Sequence, residues 1–403
     1  MLIVKKFGGS SVANKERIFN VARRCIEDYK KGHDVVVVLS AMGDTTDELL
    51  ELAGSINSNA SKRELDMLLT TGEQVSVSLM AMAMQALDVS AVSLNAFQVQ
   101  MHSTSRYGNA RFKRIDTERI MNELDARKIV IVTGFQGVNK HGDYVTAGRG
   151  GSDTTAVALA AALHADKCEI YTDVDGVFTA DPRVVPSARK IEEVTYDEML
   201  ELATSGAKVL HSRSVELAKK YGVEMVVRSS LNESEGTTVK EVVKMEKMLI
   251  TGVASDKNTA RISVIGVEDK PGVAFKIFNK LAKNAINIDI ILQSVGRDGT
   301  KDISFTVSQD DLPETLKVLE ENKEALTIQE IKHKEDVAKV AIVGAGMMIN
   351  PGVASQMFEA LYNCGININM ISTSEIRITV LIAEKDVERA TQAIHDKFAL
   401  GEV

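Results

Sequence analysis

Lys6-Phe7-Gly8-Gly9-Ser10-Ser11-Val12 ends an apolar, β-branched run, Leu2–Phe7, and leads into a helix-period stretch, Lys15–Lys31. The order strand, Gly-Gly turn, helix has a chemical meaning. Glycines let backbone N–H groups approach an anion, and the following helix N-terminus adds a favourable dipole. Lys6 supplies a full charge suited to a migrating phosphoryl group. No G-x-x-x-x-G-K-[ST] run occurs, so this is a different kind of anion turn. The same letters would also serve a plain strand–helix turn with a solvated lysine.

Outward from that stretch the pattern repeats. Val35–Leu39, Val89–Leu94, Ile129–Thr133, Glu169–Thr172 and Glu224–Arg228 read as further strands. Lys62–Leu87, Asp116–Arg127, Asp153–His164, Tyr196–Ser205 and Ser212–Tyr221 read as helices between them. Continuous apolar strands linked by helices predict an α/β domain, residues 1–232, with a mainly parallel sheet covered on both faces. Its ligands are expected in the loops at the C-terminal strand edge.

Arg149-Gly150-Gly151-Ser152-Asp153-Thr154-Thr155 precedes an Ala-rich helix. Arg149 suits bidentate clamping of a carboxylate. A helix cap would explain Ser152 or Asp153 but not the Arg-Gly-Gly lead-in. Thr172-Asp173-Val174-Asp175-Gly176-Val177-Phe178, then Asp181-Pro182-Arg183, forms a polar loop suited to a purine and its phosphates, or an ordinary turn. Ser40-Ala41-Met42-Gly43-Asp44-Thr45-Thr46 and Thr70-Thr71-Gly72-Glu73 are small-residue loops that read equally as caps.

A net charge of −8 disfavours a nucleic-acid partner. The three cysteines, Cys25, Cys168 and Cys364, are too sparse for a disulfide framework or a CxxC site, which points to a reducing cytoplasm. No apolar run approaches the roughly 20 residues of a membrane span. No His pair or Cys cluster marks a protein metal site. His211 reads as local packing and Met80–Met84 as core. Gly344-Ala345-Gly346 lacks the third glycine of a dinucleotide loop.

Residues 233–248 read as a linker. Beyond it, Pro271-Gly272-Val273-Ala274 recurs as Pro351-Gly352-Val353-Ala354, and Ile286-Asn287-Ile288-Asp289 as Ile366-Asn367-Ile368-Asn369, at one common offset. Each copy predicts a ferredoxin-like βαββαβ unit, residues 259–335 and 336–403. The second copy stops before its last strand. Residues 249–255, left over before the first copy, are expected to supply it.

Taken in order, KFGGSSV, SAMGDTTDELL, TTGE, GRGGSDTT, TDVDGVFTADPR and GAKVLH resemble the aspartokinases of the amino-acid kinase family, and the repeats resemble two ACT domains. The resemblance spans essentially the whole chain. It implies a three-layer αβα catalytic domain, ATP with Mg2+, and formation of 4-phospho-L-aspartate, the first step toward lysine, threonine and methionine. By the same resemblance Lys6, Phe7, Gly8, Gly9 and Ser10 hold ATP phosphates, with Lys6 catalytic and Asp153 orienting it. Ser40, Thr46, Glu73, Arg149, Gly150, Gly151 and Ser152 bind aspartate, Glu73 taking its ammonium and Arg149 its α-carboxylate. Thr172, Asp173, Phe178, Asp181, Arg183, Lys208 and Val209 line the nucleotide site. Phe178 stands where the family usually has Tyr, so stacking survives and a hydroxyl bond does not.

The ACT resemblance implies an amino-acid effector, lysine alone or with threonine. Asp269, Ala274, Asn287, Ile288, Asp289 and Gln293 of the first copy would face Asn367, Ile368 and Ser374 of the second. Ala354, where threonine-responsive relatives often carry a hydroxyl, weakens the threonine case. Paired ACT domains imply a homodimer or higher oligomer, and Met245 or Met248 is a candidate internal start for a separate regulatory subunit. Two rivals stay open: a kinase of another carboxylate such as glutamate on the same fold, and an amino-acid sensor with an inactive kinase domain.

Overall fold

The computed structural model describes residues 1–402 except 208, 243–248, 296–298 and 349. The chain divides into two compact units. The first comprises residues 1–178, 190–204 and 208–246; the second takes 179–189, 205–207 and everything from 247 on.

The first unit opens with β1 (Leu2–Phe7), α1 (Lys15–Lys30), β2 (Asp34–Leu39), α2 (Thr45–Ile56), α3 (Lys62–Gln85) and β3 (Ala91–Leu94). Next come β4 (His102–Ser103), β5 (Phe112–Arg114), α4 (Glu118–Asp125), β6 (Ile129–Thr133), β7 (Gln136–Val138), β8 (Tyr144–Thr146), α5 (Gly151–Ala162) and β9 (Lys167–Thr172). It ends with β10 (Glu193–Thr195), α6 (Tyr196–Thr204), α7 (Ser212–Tyr221), β11 (Met225–Ser229) and β12 (Thr237–Lys240). The main sheet runs β10-β12-β11-β9-β1-β2-β6-β3 and is parallel except between β11 and β12. Strands β4, β5, β7 and β8 form a smaller sheet beside it.

Val35–Leu39 and Ile129–Val132 are fully buried, as a sheet covered on both faces demands. One face packs on α1 and α3 through Phe7, Val35, Val37, Leu39, Ile129 and Ile131; α5 lies against β1, β9 and β2. Alternation along β1 therefore separates its two lysines. Lys6 goes to the α5 face, whereas Lys5, 1% exposed, sits between Asp28 at 2.5 Å and Glu169 at 3.1 Å. Phe7 follows Lys5 and stacks on Tyr171 with centroids 4.4 Å apart.

Residues 237–240, within the stretch read as linker, are strand β12. Their polar composition hides the alternation that puts Thr237 and Val239 in the core.

The second unit contains β13 (Gly252–Glu268), α8 (Val273–Lys283), β14 (Ile291–Val295), β15 (Thr300–Val307), α9 (Leu312–Glu321) and β16 (Glu330–Val343). Then follow α10 (Val353–Asn363), β17 (Met370–Thr373), β18 (Arg377–Ala383) and α11 (Val387–Lys397). All six strands form one sheet, β14-β15-β13-β16-β18-β17. Gly252–Asp256 lies antiparallel to Lys339–Val343, while Arg261–Ile265 lies antiparallel to Glu330–Lys334. Each long strand thus opens one βαββαβ copy and closes the other. The boundaries expected at 255–259 and 335–336 fall inside continuous strands, whose pairing shifts register between Asp256 and Thr259 and again between Thr259 and Arg261.

Segment 179–189 belongs to this unit's core. Ala180 and Val185 pack with Val253, Val340, Ile342 and Leu361, and Thr179 Oγ1 lies 2.9 Å from the buried His395 Nε2. Among the described residues no helix is long and apolar enough to cross a membrane. Met245 and Met248 lie outside the described residues.

Candidate active site

The turns at the C-terminal ends of β1 and β2 meet closely. Gly43 N–H donates to Gly9 O at 3.0 Å, and a Cβ on Gly9 would sit 2.8 Å from Ala41 O, so only glycine fits there. Opposite them, Gly150 caps α5 in the left-handed region at φ 65°, with the His211 side chain packed where its Cβ would be. His211 also accepts from Arg213 N–H at the start of α7, and burial lowers its pKa. Its part is structural, supporting the Gly150–Gly151 turn.

These turns enclose a cavity of about 770 Å³. It brings together Lys6, Gly8, Gly9, Ser40, Thr46, Glu73, Arg149, Gly150, Gly151, Ser152 and Asp153. Lys6 Nζ lies 2.6 Å from Asp153 Oδ1 in the first turn of α5. Ser40 and Ser152 share a hydroxyl hydrogen bond of 3.0 Å.

Glu73, on α3, is 3% exposed. Its Oε1 accepts from Ala41 N–H at 3.2 Å, while the buried Oε2 has no partner. Burial pushes this carboxyl up to about 7. A buried acid with one unpaired oxygen on a cavity wall is a natural receptor for a cation.

Phe7 and Ser10 stand differently. The Phe7 side chain is in the core, and Ser10 is exposed, its carbonyl accepting from Arg17. Thr172 ends β9, and its hydroxyl donates to Oδ1 of the next residue, Asp173, at 3.0 Å. Phe178 bridges to Lys190; Val209 is half-buried. Asp181 and Arg183 pair with each other at 2.7 Å within segment 179–189. Lys208 lies outside the described residues.

Several cavity residues carry no motif. Asp66, Arg106, Tyr107 and Phe135 line it. Phe135 holds φ 67° and its N–H donates to Thr155 Oγ1 at 3.1 Å. The available signal was the spacing of Asp66 about two helical turns before Glu73, which puts both acids on one face of α3.

In the second unit, Asp269 pairs with Lys301 at 2.7 Å. Asp289 pairs with Lys339 at 2.6 Å. Ala274 and Ile288 pack at the edge of the first copy's core, and Ile368 at the edge of the second's. Asn287, Gln293, Asn367 and Ser374 are exposed. Both Ile-Asn-Ile runs lead to edge strands, with β15, β13, β16 and β18 between those edges. The residues after them, Ile290 and Met370, share a small buried cluster with Val337 and Leu381.

Residues 1–229 match the amino acid kinase family, and residues 260–324 and 340–398 each match an ACT domain. The chain is 53% identical over 401 residues to an aspartokinase of Bacillus sp. (strain MGA3), covering 99% of this chain and 98% of that one. Its structure is similar to Escherichia coli aspartokinase III in complex with aspartate and ADP (R-state), with a TM-score of 0.86, 27% identity, and 98% and 99% of the two chains covered. The same enzyme in complex with lysine and aspartate (T-state) gives a TM-score of 0.76 at 27% identity over 98% and 99%. The chain therefore belongs to the amino acid kinase family and, within it, to the aspartokinases that carry two ACT domains.

Proposed function

We propose that the first unit transfers the ATP γ-phosphoryl group to the side-chain carboxylate of L-aspartate, giving 4-phospho-L-aspartate for lysine, threonine and methionine synthesis. The observation that carries this reading is one cavity lined by the Lys6–Asp153 pair, the half-paired Glu73 and Arg149. The aspartate and ADP held by Escherichia coli aspartokinase III support the same substrates here.

An aspartate side chain is ionised at neutral pH and needs no general base. The obstacle is bringing two anions into line. Lys6 offers positive charge at the transferring group, and Asp153 holds the ammonium in place. Glu73 takes the substrate ammonium and Arg149 the α-carboxylate, so the acceptor oxygen meets the phosphorus in a fixed direction. Thr172, Asp173, Phe178, Asp181, Arg183, Lys208 and Val209 are assigned to the nucleotide. Mg2+, when bound with ATP, shields phosphate charge. Among the described residues no group of three His, Cys, Asp or Glu is placed to hold a metal.

The second unit is assigned amino-acid sensing, with lysine as effector, alone or with threonine, in a homodimer or higher oligomer joined through the ACT domains. The lysine complex of the Escherichia coli enzyme supports lysine. ADP release measured with aspartate and with glutamate tests the catalytic reading; aspartate should exceed glutamate by at least a hundredfold in kcat/KM, roughly what one misplaced carboxylate costs. Equal use of glutamate would remove it. Amino-acid binding without turnover would favour the sensor alternative.

A further inference from the structure

The cavity has a second organising acid. Asp66, 1% exposed, accepts from Gly108 N–H at 2.9 Å and Thr146 N–H at 3.0 Å through Oδ2, and from the Thr146 hydroxyl at 2.7 Å through Oδ1. It therefore fastens the loop after β4 to the end of β8. Other bonds tighten the same seam. Ala110 N–H donates to Thr146 O at 2.8 Å, and Arg213 donates to both Ala110 O and Ala147 O. A Cβ on Gly148 would lie 3.1 Å from Gly108 O, so the two backbones are in contact.

Arg106 lies two residues before Gly108 on one side of this seam and Arg149 directly after Gly148 on the other, and both residues line the cavity. Neither has an acidic partner among the described residues. The phosphoryl end of the cavity, with Lys6, Asp153, Gly8 and Gly9, is built from other turns. Arg106 is thus tied to the wall that leads into Arg149.

Resting on the aspartate-kinase reading, we propose that Arg106 is a second binding residue for the substrate α-carboxylate, beside Arg149, and that Asp66 is the positioning residue that holds its loop. Two forked donors around one carboxylate select for a carboxylate at that position, where an uncharged group leaves them unpaired. Asp66 acts through the loop and touches no substrate.

The test uses the full chain. Arg106 is exposed, so Arg106→Ala keeps the fold. Its kcat/KM for aspartate should fall about ten- to hundredfold, mainly through KM, with the KM for ATP within twofold. Aspartate α-amide, which keeps the ammonium and the side-chain carboxylate, should compete equally well against wild type and Arg106→Ala. Arg106→Lys should recover part of the loss. Asp66→Asn should show the same KM split, and in the Arg106→Ala background should add less than twofold, because it acts through a group already removed. A melting curve identifies an Asp66→Asn chain that fails to fold, and Arg106→Ala then decides alone. Unchanged aspartate KM in Arg106→Ala, or an equal loss of α-amide binding, overturns the proposal. A wild-type chain that turns over no aspartate fails the underlying reading before any variant is made.

Discussion

Lys6 Nζ stands 2.6 Å from Asp153 Oδ1, which joins the turn after β1 to the first turn of α5. The two side chains are equally shielded, each 12% exposed, so the ammonium keeps a fixed direction and little water competes for it. Lys6→Ala is expected to lower kcat on the order of a thousandfold, the scale of one lost charge-stabilising donor. Far-UV circular dichroism should stay native, with a lower melting temperature because Asp153 loses its partner. Near-normal turnover in that variant would sink the assignment.

Glu73 sets a pH dependence. Desolvation by burial raises its carboxyl from the ordinary value to about 7, so protonation below that pH removes the charge proposed to receive the substrate ammonium. The KM for aspartate should rise about tenfold per pH unit below 7, and Glu73→Gln should flatten that profile. Stability has the opposite sign. A carboxyl raised on folding favours the native state at low pH, and that contribution is lost as pH rises from the unfolded value through about 7. Glu73→Gln should therefore melt higher than wild type at pH 8, and an unchanged melting point would contradict the shift.

Asp289 lies 2.6 Å from Lys339, which is 7% exposed and also lies 3.4 Å from Asp256. An effector ammonium arriving at Asp289 would meet an acid already shared by a buried lysine. Asp289→Asn should raise the lysine concentration for half-inhibition at least tenfold, the scale of a lost charge-assisted bond. Turnover without lysine should stay within twofold. An unshifted inhibition curve would exclude this loop from the effector site.

Lys5 makes the matching prediction for stability. Burial pushes the Glu169 carboxyl up, but Lys5, Lys167 and Tyr171 outweigh it and bring it to about 2. Glu169 therefore stabilises the fold above its unfolded value, and that contribution disappears as pH falls toward 2. Lys5→Met leaves Asp28 and Glu169 without their shared cation and should cost about 3–5 kcal/mol in urea unfolding. A loss under 1 kcal/mol would mean that water already reaches the pair.

Much of this was readable along the chain. The Gly-Gly turns, Arg149 and Asp153 announced an anion site because their chemistry is local, and the repeat announced the paired βαββαβ copies. Other features were not. Asp66 shares a helix face with Glu73, but Arg106 lies far along the chain from the motif residues it accompanies, and no local pattern links a mid-helix aspartate to a loop arginine. Segment 179–189 reads as the tail of a polar loop, yet Val185 is fully buried in the second unit's core. Burial of that kind depends on distant partners.

Lys6-Phe7-Gly8-Gly9 shows where the division lies. The sequence by itself determined a strand running into a glycine turn, since β-branched residues and glycine restrict the backbone over a few residues. It also determined that adjacent lysines must point to opposite faces. Only the tertiary structure decided which face holds the chemistry. Helix α5 brings Asp153 to Lys6, while α1 and β9 bury Lys5 between two acids. The physical reason is that the role of a charge depends on what desolvates and neutralises it, and those groups come from elements far away in the chain.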